Sequence, residues 1–304
     1  MSSRNRIPQA LEPYLRLPPE TSQILLTGTL GCSINWLTTR FVGALLAPDG
    51  PTNTTRDAAG AGGGFEGLTG SGETREKTAI VLASWMRSER FWRDELRRTC
   101  GLDLTKNKDL QDRYTFLDQL DRPCSPTTEL ENRIQAAVAR ISQPSSHGRC
   151  SKRPVILVLD NPDVLLALGL ASAQDLSTTL LKLRSMVHAT IVTCAADTPI
   201  LGAAAAAAAA GSSAGGEGFP TPLEAESAAF AVQQGHGAEF VVSARELETG
   251  AAKDVSGVLR VTRGGAASAR EEDEGVEEVK EMEALYLVQR DGNVKVFERG
   301  AASS

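Results

Sequence analysis

The sequence predicts an α/β fold: a single domain whose mixed, mostly parallel sheet is flanked by helices and carries an antiparallel extension at its C-terminal end. Three observations predict it. From Gln23 to Cys194 short apolar runs alternate with stretches of helical period, the pattern of strand–helix–strand units. One of those runs, Val155 to Leu159, is apolar at five successive positions and closes on Asp160, as a strand buried on both faces does. Beyond Phe240 the period changes to two, the mark of half-covered strands that pair in hairpins.

The elements follow in order. After a Pro-rich lead-in over 1–22, Gln23 to Thr27 reads as the first strand, and Cys32 to Leu46 places Ile34, Leu37, Phe41 and Leu45 at helical spacing. Lys77 to Ser84 is the second strand. Met86 to Cys100 is an amphipathic helix with Phe91, Trp92 and Leu96 inward and Gly101 as its C-cap, so Trp85 and Trp92 belong to the core. Arg113 to Leu117 is the third strand. Thr128 and Glu131 form a capping box for a helix reaching Ile141, with Leu130, Ile134, Ala137, Val138 and Ile141 as its buried stripe. Behind the central strand, Ser172 and Asp175 cap a helix from Leu176 to Val187, and Ala189 to Cys194 is the next buried strand, with His188 as a turn residue at its start. From there only strands are expected: Phe240 to Ser243, Val258 to Thr262, Ala284 to Gln289 and Val294 to Phe297, the last two joined by Asp291-Gly292 as a type I′ hairpin. A parallel core followed by an antiparallel edge is a mixed sheet of the RecA kind.

Between the first strand and its helix lies a glycine-bearing turn, Gly28 to Asn35, where a phosphate loop would stand. That chemistry needs glycines whose N–H groups close on phosphate, a Lys for the β and γ oxygens, and a Ser or Thr hydroxyl on Mg²⁺. Counting from Gly28, Ser33 falls at the second glycine, Ile34 at the lysine and Asn35 at the hydroxyl. All three depart, and no Lys occurs between Met1 and Glu76 to substitute. Asp160, at the carboxyl end of the central strand, sits where such hydrolases hold Mg²⁺. It equally fits a turn cap, since Asn161-Pro162 follow.

Low-complexity stretches over 47–76, 142–153, 202–222 and 264–280 read as insertions, and 301–304 as a tail. Removing the insertions leaves about 220 residues, the size of one α/β domain. The formal charge of −6 comes from eight acids between Glu271 and Glu283, offset there by Lys280 alone; elsewhere 30 acids face 31 Lys plus Arg. The charge therefore selects no partner. Five scattered cysteines and three dispersed histidines suggest neither a disulfide frame nor a metal site. No run reaches membrane-spanning length and MSSRNR lacks a signal-peptide core, so the expectation is an intracellular protein without a membrane partner.

Together, ILLTGTLGCSINWL, VILVLDNPDVLLALG and ALYLVQRDGNVKVFERG resemble the Elongator complex protein 6 family in a fungal form, from about Ile24 to Gly300 apart from the insertions. The resemblance implies a non-catalytic RecA-like subunit without cofactor or metal. It would join Elongator proteins 4 and 5, two copies of each, in a hexameric ring that binds tRNA. The full complex modifies wobble uridine through a separate catalytic subunit, and it is cytoplasmic and nuclear. Two other readings stay open: an ATPase whose site on Asp160 is completed by a neighbour's lysine, and a DNA-binding recombination accessory.

For RNA contact, the loops after the fourth and fifth strands, Asn161 to Ala171 and Ala195 to Pro222, contain no Lys or Arg. Arg149, Lys152 and Arg153, before the central strand, are the better candidates. For a partner interface the C-terminal hairpin stands out, because Leu285, Tyr286, Val288 and Phe297 alternate to both faces of the sheet while the domain's own helices are expected to cover one.

Overall fold

The structure is a computed structural model, and it describes residues 7–47, 77–119, 127–142, 153–199, 201–202, 221–250, 252, 254–270 and 279–298. Among these residues nine strands form one sheet in the order β3-β2-β4-β5-β1-β6-β7-β8-β9. They are β1 (Ser22–Gly28), β2 (Ala79–Ser84), β3 (Tyr114–Asp118), β4 (Val155–Asp160), β5 (Ala189–Ala195), β6 (Phe240–Arg245), β7 (Gly257–Arg263), β8 (Met282–Val288) and β9 (Val294–Glu298). Every pairing from β3 across to β6 is parallel, and those among β6, β7, β8 and β9 are antiparallel. Val155 to Leu159 is at most 3 % exposed, which is why the run could be apolar throughout.

One face is covered by the lead-in, α1 (Asn35–Leu46) and α2 (Glu89–Glu95), which continues as a π-helical turn over Leu96–Cys100 and ends on Gly101 at φ 68°. The lead-in belongs to this core: Leu11, Tyr14 and Leu15 are buried, and the Tyr14 ring lies 5.9 Å from Phe240. The opposite face carries α4 (Thr127–Ile141), α5 (Val164–Ala167) and α6 (Ala173–Arg184), followed by α7 (Pro222–Gly237) and α8 (Gly265–Arg270). A short α3 (Lys108–Gln111) precedes β3. Among the described residues no helix is long and apolar enough to cross a membrane.

Several expectations need correction. The chain does not turn to strands alone after β5, since α7 intervenes. Its sequence signal was not an apolar stripe, for much of its buried side is alanine; it was the capping box of Thr221 and Glu224 with Pro222 in the first turn. The helix α1 begins at Asn35 rather than Cys32, because Gly31 turns the chain at φ 88° first. In α4 the first helical residue is Thr127, so Thr128 lies inside the first turn, and Glu131 is taken up by Lys182 at 3.1 Å. The last hairpin is not type I′. Gly292 N–H donates to Gln289 and Gln289 N–H to Asn293, with only Gly292 at positive φ, which makes a three-residue loop over 290–292. Its tip is held against α1 and the turn after α2: Arg40, 2 % exposed, donates to the carbonyls of Thr99 and Gly292. His188 is the expected turn residue, with its ring on the Pro18 carbonyl.

Candidate functional site

The strand order puts β5 and β6 on either side of β1, so the loop leaving β1 is flanked by the chain ends that leave those two strands. It is a closed loop. Thr29 N–H donates to the Ala244 carbonyl and Cys32 N–H to Thr29, while Gly28 accepts from Ala196 N–H. Ile34 is 6 % exposed and folds back under the loop: a Cβ on Gly28 would lie 3.2 Å from the Ile34 side chain and 2.7 Å from the Cys32 carbonyl. The position a lysine would use to reach phosphate is therefore an apolar plug. Ser33 is exposed but accepts from Asn35 N–H at 3.3 Å.

Two carboxylates occupy the outside of this loop. Asp197, just past β5, accepts from Leu30 N–H at 2.5 Å. Glu246, just past β6, lies against Gly31 so closely that a Cβ there would fall on its carboxylate. A phosphate loop presents N–H groups and a cation to an anion; this one has spent an N–H on its own acid and keeps a second acid alongside. A phosphate brought to the loop would meet like-charge repulsion from both carboxylates.

Asp160 is fully buried. The Ser84 hydroxyl donates to Oδ2 at 2.6 Å and the Thr193 hydroxyl to Oδ1 at 3.2 Å, so both oxygens are engaged by the neighbouring strands β2 and β5. Burial pushes its pKa up to about 6, against the pull of those two hydroxyls and of Arg87. Asn161 then takes φ 55° and donates its N–H to Thr193 at 2.8 Å, and Asp163 accepts from Ala195 N–H at 3.0 Å; burial raises this second carboxyl too. The acids at this edge tie the loop after β4 to the end of β5. Among the described residues no three His, Cys, Asp or Glu side chains come together to hold a metal ion.

The other candidates fall elsewhere. Arg153 precedes β4, at the opposite edge of the sheet from the loop, and reaches the Asp112 carbonyl. Arg149 and Lys152 lie outside the described residues. In the hairpin, Tyr286 is 2 % exposed and packs on Trp36 of α1 with ring centroids 5.2 Å apart, and Val288 packs on the same core. Tyr286 is thus a core residue rather than an interface one, because α1 reaches across to β8. Leu285 and Phe297 are register partners on the other face and half-buried. Asp197 and Glu246 were missed by sequence reasoning. Their signal, an acid soon after a strand, acquires meaning only once the strand order sets β5 and β6 beside β1.

No protein-family model matches the sequence, and no match was found among curated proteins. Among solved structures the chain is similar to the crystal structure of a KaiC-like protein from the hyperthermophilic archaeon Pyrococcus horikoshii OT3, with 14 % identity, 96 % of each chain covered and a TM-score of 0.53. At that identity the likeness shows the fold, and the fold is RecA-like.

Proposed function

We propose that this RecA-like chain acts as a nucleotide-independent subunit of a larger assembly, and specifically as the Elongator complex protein 6 subunit. In that role it joins Elongator proteins 4 and 5 in a hexameric ring, which binds tRNA and supports wobble-uridine modification carried out by a separate catalytic subunit. The observation that carries the non-hydrolytic part is the closed loop, in which Ile34 plugs the lysine position and Asp197 and Glu246 hold the phosphate side. The same carboxylates count against a nucleotide site completed by a neighbour's lysine, since phosphate would still have to enter beside them. The Elongator assignment rests on the three resembling segments, two of which form the closed loop and the buried β4–Asp160 turn.

The test is co-expression of the full chain with Elongator proteins 4 and 5, followed by native mass measurement. One assembly containing two copies of each protein is expected. Elution of this chain as a monomer while the other two associate would overturn the assignment.

A further inference from the structure

The carboxyl edge of the sheet carries a second feature besides the closed loop: a groove of about 720 Å³ between the turn that follows α5 and the first turn of α7. Its volume lies in the range of ligand-binding clefts. One wall is set by the end of α5, where Gly169 takes φ 66°, Gly169 N–H donates to the Leu166 carbonyl and Leu170 N–H to that of Leu165. That is the Schellman pattern, in which the residue after the glycine commonly folds back onto the helix. Here Leu170 stays 41 % exposed, and Leu168 stands beside it at 53 %. The other wall is Pro222 and Leu223, the leucine 47 % exposed. Glu226 of α7 ties the walls together by accepting from Ala173 N–H of α6.

The rim of this groove is acidic. Asp175 and Glu226 line it, and Glu224 lies in the same first turn of α7. Among the described residues none of the three is in an ion pair, although each accepts a hydrogen bond at a helix start. No Lys or Arg occurs over 154–181 or 185–244. Lys182, about 10 Å along α6 from Asp175, is paired with Glu131, and Arg184 donates to the carbonyls of Thr21 and Gly237. The N-termini of α6 and α7 offset about half a charge each, which leaves an excess of about two negative charges around the leucines.

We infer that this groove seats a segment of a partner protein whose bulky apolar side chains enter between Leu168, Leu170 and Leu223 and whose flanking Lys or Arg residues meet Asp175, Glu224 and Glu226. Leucines held open by a hydrogen-bonded turn supply apolar contact at little ordering cost. The carboxylates supply the sign of the flanks, and they disfavour a nucleic-acid backbone at this place. Residues 203–220, which lead along the chain to Pro222, hold no Lys or Arg and so lack that complement. The inference does not rest on the Elongator assignment.

The probes are two synthetic peptides that share a central group of leucine and phenylalanine residues and are flanked either by lysines or by glutamates. Their binding to the full chain is read by fluorescence anisotropy at low salt. The lysine-flanked peptide is expected to bind about ten-fold tighter than its glutamate counterpart. Leu168→Ser combined with Leu223→Ser, both exposed changes, should weaken it about ten-fold with an unchanged circular dichroism spectrum. Asp175→Asn combined with Glu226→Gln, whose amide oxygens can accept the same two hydrogen bonds, should erase the preference. Equal binding of both peptides by the parent chain, or binding of neither, would overturn the inference, as would a preference that survives the loss of the two carboxylates. So would sedimentation of the free chain as a dimer that the leucine substitutions dissociate, since the occupant would then be a second copy.

Discussion

Asp160 and Ile34 are the two residues that set how this edge of the sheet behaves, one by its buried carboxyl and one by plugging the loop. With a folded pKa of about 6 against about 3.9 in an unfolded chain, Asp160 holds a proton that the unfolded state has released. Its contribution to stability is therefore full below about pH 4 and is lost as the pH rises through about 6, a loss on the order of 3 kcal/mol by neutral pH. Asp160→Asn keeps the shape without the charge. The expected outcome in thermal unfolding is no difference from the parent chain near pH 4 and a higher melting temperature for the variant at pH 7.5, with no effect of Mg²⁺ on either. Ile34→Lys is expected to cost about 2 kcal/mol of stability, because a buried apolar contact is lost, and to leave Mg·ATP binding undetected. The new ammonium would find Asp197 and Glu246 before it found a phosphate. Both Ile34 and Asp160 were legible in the sequence, since each is defined by its distance from a strand end. Asp197 and Glu246 were not, because their relation to Gly31 is set by strand order and not by spacing.

Among the elements, the C-terminal hairpin and α7 show what period reading can and cannot supply. Alternation located β8 and β9 to within two residues, but it could not say which face met the core. That depended on α1 placing Trp36 over Tyr286 and on Arg40 gripping the hairpin tip. Tyr286→Ala should therefore cost about 3 kcal/mol in denaturant unfolding, as a large core truncation does, whereas Leu287→Ser, half-buried on the opposite face, should cost well under that. Equal costs would mean the two faces are packed alike. For α7 the useful signal was at its start: Thr221 and Glu224 satisfy each other's backbone N–H groups. Thr221→Ala should lower stability by about 1 kcal/mol, measured by the same unfolding midpoint.

For the whole molecule, the parallel half of the sheet could be read because buried strands write themselves as apolar runs, and the RecA-like fold followed from their alternation with helices. The order of the strands could not, and that order turns a plain glycine turn into a site with two acids around it. The chain is a RecA-like domain in which the turn where a phosphate loop would stand is closed by its own side chains. Calorimetric titration of Mg·ATP into the purified full chain tests this most directly. No saturable heat is expected, and a one-to-one isotherm with submicromolar affinity would show instead that the loop opens to phosphate.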